Sequence, residues 1–135
     1  MLQADDVSFE ASLAMIVRYG DGDRPPGSFQ ELLKQYMDDS GMSVEELAFR
    51  SKVSERTIGT LRNKVDYQPQ LNTIVSLCVG LGLNPSESYK LIALSGYNLT
   101  DGKLHRVYKF ILDKSNGASI EECNRFLERA KLPPL

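Results

Sequence analysis

Tryptophan is absent from the chain, histidine occurs once (His105) and cysteine twice (Cys78 and Cys123). Two cysteines build no disulfide framework, and a lone histidine without a partner at ligand spacing builds no zinc site. No metal and no cofactor are therefore expected. Long apolar runs are also missing. The longest, Leu13 to Val17, falls well short of the roughly 18 residues that a membrane span needs, and no basic segment precedes it as in a secretory leader. Positive charge is not in excess either: sixteen Lys and Arg face eighteen Asp and Glu, a net charge of −2 over 135 residues. That balance excludes coating of nucleic acid by bulk charge, so any such binding must come from a local basic surface. No nucleophile–base pair, metal cluster or phosphate loop is visible, and an enzyme is not expected. What is present is ordinary globular usage, 41% apolar and 25% charged. The chain should fold as one compact domain, soluble and cytoplasmic, with no membrane partner.

The first 27 residues are acidic and end in Gly20-Asp21-Gly22-Asp23-Arg24-Pro25-Pro26-Gly27, a stretch of turn formers unsuited to the interior of a helix or sheet. Before it, Ala11 to Tyr19 reads as a short helix. From Ser28 onward apolar residues recur at helical spacing. Phe29, Leu32, Leu33, Tyr36 and Met37 form one stripe, and Leu104, Val107, Tyr108, Ile111 and Leu112 another. Ile120, Cys123, Phe126, Leu127 and Ala130 form a third, which makes Cys123 a small core residue, as Cys78 is beside Leu71, Ile74 and Val75. Ser28, Ser43 and Ser119 are each followed three positions later by glutamate, the capping-box spacing, and Asn84-Pro85-Ser86-Glu87 adds proline at the first helical position. With no convincing alternation of period two, the fold class is all-α. Seven helices are expected at 28–40, 43–51, 54–63, 70–81, 85–95, 100–115 and 119–130.

The most informative stretch runs from Ser43 to Lys64. Its two short helices are separated by two or three residues, so the second must leave the first steeply, as in a helix-turn-helix. Leu47 and Ala48 face the second helix, Val53 fills the corner, and Ile58 and Leu61 anchor the second helix to the core. At about 100° per residue the opposite edge consists of Arg56, Gly59, Thr60 and Asn63. A guanidinium, a hydroxyl and a carboxamide on one edge can donate to and accept from bases in a major groove.

Ser28 to Gly96 resembles the five-helix domain of the lambda repressor, Cro and Xre-type regulators. The resemblance rests on Phe29-Gln30-Glu31-Leu32-Leu33, Met42-Ser43-Val44-Glu45-Glu46-Leu47-Ala48 and Val53-Ser54-Glu55-Arg56-Thr57-Ile58-Gly59-Thr60-Leu61. Pro69-Gln70-Leu71-Asn72-Thr73-Ile74 and Leu81-Gly82-Leu83-Asn84-Pro85 complete it. The organisation implied is an N-terminal extension (1–27), a lambda repressor-like domain (28–96) and a C-terminal extension of two additional helices (97–135). The function implied is sequence-specific binding of double-stranded DNA by a homodimer, to regulate transcription. By position, Ser54, Glu55, Arg56, Thr60 and Asn63 would lie along the major groove, with Arg56 suited to a bidentate contact with guanine. Ser43, Lys52, Arg62 and Lys64 would meet phosphates.

Three positions depart from the family pattern. Val44 replaces a frequent glutamine, Lys52 stands where the tight turn often has glycine, and Glu55 brings a carboxylate to the groove. From Met42 to Lys64 five basic residues (Arg50, Lys52, Arg56, Arg62, Lys64) face three acidic ones (Glu45, Glu46, Glu55), a local excess of two. An alternative reading follows: a helix-turn-helix serving as an interaction module, antitoxin-like or part of a sensor, whose regulatory protein partner meets the Arg56–Asn63 face. The last two helices either cap the fifth or pair with a second copy of the chain.

Overall fold

The computed structural model describes residues 27–64, 67–114 and 117–135. The short helix expected over Ala11 to Tyr19 lies outside them. Among the described residues there are seven helices and no strands: α1 (Phe29–Ser40), α2 (Val44–Ser51), α3 (Glu55–Asn63), α4 (Leu71–Leu81), α5 (Pro85–Leu94), α6 (Lys103–Lys114) and α7 (Ile120–Arg129). Each of the seven helices expected from residue 28 onward is present. Most starts fall one residue later than expected because the N-cap residues themselves have extended backbone. α6 differs more, starting at Lys103 rather than at position 100. Thr100 is engaged before the helix: its amide donates to His105 Nδ1 (2.9 Å) and its hydroxyl accepts from the Gly102 amide (3.3 Å). These local bonds compete with helix, as short polar side chains and glycine tend to do.

The serine caps act as their spacing predicts. Ser28, Ser43 and Ser119 accept from the amides of Glu31, Glu46 and Glu122, each at 3.1 Å. The reciprocal glutamate bond closes only at Asn84–Glu87 and Ser119–Glu122. Elsewhere the carboxylate has a competing donor. Glu31 accepts from the Gly27 amide (3.3 Å) and the Ser28 hydroxyl (3.1 Å), and Glu46 pairs with Arg50 (3.3 Å).

One continuous core joins all of these elements. Leu33, Leu47, Ile58, Leu61, Ile74, Leu77 and Leu91 have no exposed surface, and Tyr108, Ile111, Leu112, Cys123 and Leu127 belong to the same cluster. The stripes of α6 and α7 are thus buried on the protein's own body, mainly against α4 and α5. Phe110 and Phe126 remain outside that core and meet edge to face at 5.5 Å. α2 and α4 approach so closely that a Cβ on Gly80 would lie 2.7 Å from Ser51 Cβ. Glycine at this position lets the first helix of the turn motif press its backbone onto α4.

Candidate nucleic-acid interface

α2 ends at Ser51, and Lys52 turns the chain with φ 61° and ψ 17°. This is the left-handed conformation expected where glycine is replaced, and it costs a non-glycine residue about 1 kcal/mol. The Val53 amide then donates to Ser51 Oγ (3.2 Å), and Ser54 caps α3. Ile58 and Leu61, both fully buried, fasten α3 from beneath, mainly onto α1 and α2. Its far end is held by Gln30, which is 6% exposed and whose Nε2 donates to the Lys64 carbonyl (3.1 Å). Both ends of the short helix are therefore positioned before any ligand arrives.

The opposite edge of α3 is open. Arg56 and Asn63 are exposed and Gly59 and Thr60 half-buried. The Thr60 hydroxyl donates to the Arg56 carbonyl (3.1 Å), which leaves its oxygen to accept. Ser54 is occupied in starting the helix: its hydroxyl accepts from the Thr57 amide (3.1 Å) and donates to Thr57 Oγ1 (2.8 Å). Glu55 is exposed in the first turn, where the helix dipole favours a negative charge. The main packing partners of α6 and α7 are α4, α5 and each other.

The four expected phosphate contacts separate into different environments. Ser43 is exposed and retains a proton to donate while its oxygen caps α2. Lys64 is exposed at the end of α3, and Arg62 beside it is half-buried with its Nε enclosed and without a hydrogen-bond partner among the described residues. Lys52 turns instead to α7. Its ammonium lies 3.4 Å from the Glu121 carboxylate and 4.6 Å from the centre of the Phe49 ring. Arg50 is paired with Glu46. Of the five cations between Met42 and Lys64, those without an ion pair among the described residues are Arg56, Arg62 and Lys64, all on α3 or its C-cap.

Sequence reasoning missed three contributors. Gln30 had a usable signal, because it shares a helical face with Leu33 and Met37. Glu121 had none, since nothing in the sequence brings α7 to the turn. Phe49 was not singled out, yet it is 74% exposed on α2. Tyr97, which borders a loop, is spent internally by donating to the Pro69 carbonyl (3.0 Å).

Two short helices meeting at a three-residue corner, the second with its apolar side buried and its polar edge free, define a helix-turn-helix. Residues 32–93, from within α1 to near the end of α5, match the family model of the Cro/C1-type HTH DNA-binding domain. α6 and α7 lie beyond the match. No curated protein and no solved structure shows a significant match to the chain. Among the described residues, no helix is long and apolar enough to cross a membrane.

Proposed function

We propose that the protein is a sequence-specific transcriptional regulator of the phage-repressor (Xre) type, acting by occupying DNA rather than by catalysis. The observation that supports this reading is the placement of Arg56, Arg62 and Lys64, the cations between Met42 and Lys64 without ion pairs among the described residues, on or at the end of the helix whose outer edge is open. In this reading Arg56 takes a guanine edge, Thr60 and Asn63 read neighbouring bases, and Lys64 with Arg62 and the Ser43 hydroxyl meet phosphates. Lys52 joins them only by leaving Glu121. Two copies are needed to place two recognition helices in successive major grooves about 34 Å apart, which requires a two-fold symmetric operator.

Selection from a random duplex library tests the proposal. An enriched palindrome whose binding weakens on Arg56→Ala supports it, and the absence of any enriched sequence refutes it. A second reading, in which the motif contacts a regulatory protein, draws on Phe49, whose 74% exposure on α2 is atypical for a large apolar side chain. Failure of the selection would favour that reading.

A further inference from the structure

Acidic and basic side chains are unevenly divided along the chain. Residues 1–27 hold five carboxylates (Asp5, Asp6, Glu10, Asp21 and Asp23) against two arginines (Arg18 and Arg24), a side-chain charge of −3, so the remainder carries +1. All of that segment except Gly27 lies outside the described residues, which fix its point of attachment to the fold.

The attachment lies beside the end of α3. Gly27 precedes the Ser28 cap of α1, and three residues on from Gly27 the Gln30 side chain donates to the Lys64 carbonyl (3.1 Å). Three residues span at most about 11 Å, so the acidic segment joins the fold close to Lys64 and Arg62. These two cations and Arg56 have no ion pair among the described residues, and Arg56 and Lys64 are exposed. Counted back from Gly27, Asp23 and Asp21 can reach about 14 Å and about 21 Å. α3, nine residues long, spans about 14 Å. Both carboxylates can therefore lie along its open edge. Exposed carboxylate–cation pairs are individually weak, but a tether this short holds its partner at an effective concentration in the millimolar range.

We propose that the acidic segment of the same chain, through Asp21 and Asp23, docks on the Arg56–Lys64 edge of α3 and competes with DNA for it. Carboxylate and phosphate answer the same cations, and the tethered carboxylates are always at hand, so DNA binds by displacing them. The competition rests on the reading of α3 as the DNA-reading helix; the docking does not.

Two measurements on the full chain test this. The first is carbodiimide coupling, which joins a carboxylate to a lysine amine with loss of water, mapped by mass spectrometry. A link from Lys64 to Asp21 or Asp23 is expected in product of single-chain mass, and it should fade as salt screens the pair. Absence of that link, a Lys64 link to Asp66 alone, or a link confined to product of double mass overturns the docking. The second is fluorescence anisotropy at low salt with a duplex of unselected sequence. Asp21→Asn combined with Asp23→Asn should tighten binding by about two- to fivefold. Asp38→Asn combined with Asp39→Asn removes the same charge at the exposed far end of α1 and should leave affinity nearly unchanged. Equal gains in the two double variants, or no gain in the first, overturn the competition. If neither the parent nor any variant binds duplex, the DNA reading fails and the competition with it, while the cross-link still decides the docking.

Discussion

Alanine at Gly80 tests the packing that holds the turn motif in place. Its methyl carbon would lie 2.7 Å from Ser51 Cβ and 2.9 Å from both Ser51 Cα and Ser51 N. Relaxed carbon contacts fall at about 3.5–4.0 Å, so α2 and α4 must separate by on the order of 1 Å. Two of the three clashing atoms are backbone and cannot rotate away. Overpacking of this kind costs about 1–3 kcal/mol, and the upper part of that range applies where the neighbour is fixed. Against it stands the helical preference for alanine, about 0.8–1.0 kcal/mol. The net expectation is a loss of about 1–2 kcal/mol. Gly59→Ala supplies the control, because a Cβ there meets nothing within 4 Å. It should gain up to about 1 kcal/mol from the same preference. Urea unfolding of the two variants should move in opposite directions from the parent. If Gly80→Ala is as stable as Gly59→Ala, the close approach of α2 to α4 is wrong.

Two further outcomes follow from buried polar groups. Burial, reinforced by the charge of Glu87, pushes the Tyr36 hydroxyl up to about 12, and burial pushes Cys78 up to about 12. Burial and a 2.9 Å hydrogen bond to Asp113 do the same for Tyr89. All three groups have a raised folded-state pKa, so the fold holds the proton more tightly. The stability they contribute is complete below about pH 9–10, the unfolded-state values, and is lost as pH rises toward 12. Unfolding monitored by denaturant at pH 8 and pH 11 should show that loss, and equal stability at both would contradict it. Gln30→Met keeps the volume but removes the donor to the Lys64 carbonyl, which still accepts from the Tyr67 amide at 3.3 Å. A loss of about 1 kcal/mol in urea melts is expected, and no loss would mean that Gln30 does not anchor the end of α3.

Much of the fold was legible because it is written in local terms. Serine three residues before glutamate located the starts of α1, α2 and α7, and glycine located the ends of α1 and α4. The open edge of α3 followed from the positions of Ile58 and Leu61. What escaped depends on contacts between distant parts of the chain. Spacing alone cannot show that the Lys52 ammonium is drawn toward Glu121 of α7. Nor can it show that Gly80 is in tight contact while Gly59 is free. The last two helices were ambiguous for the same reason. Their stripes announced burial but not the surface that covers them, which is α4 and α5 of the same chain.

The most direct measurement is the salt dependence of affinity for a selected duplex, by fluorescence anisotropy, for the parent, Arg56→Ala and Lys64→Ala. The account predicts a steep fall in affinity as salt rises, because bound cations release counterions from the phosphates. Arg56→Ala should cost about 1–3 kcal/mol on the preferred sequence and relax one base position, whereas Lys64→Ala should weaken all sequences alike and lower the slope by about one. Affinity that is flat with salt, or unchanged in both variants, would contradict the assignment of α3 as the DNA-reading helix.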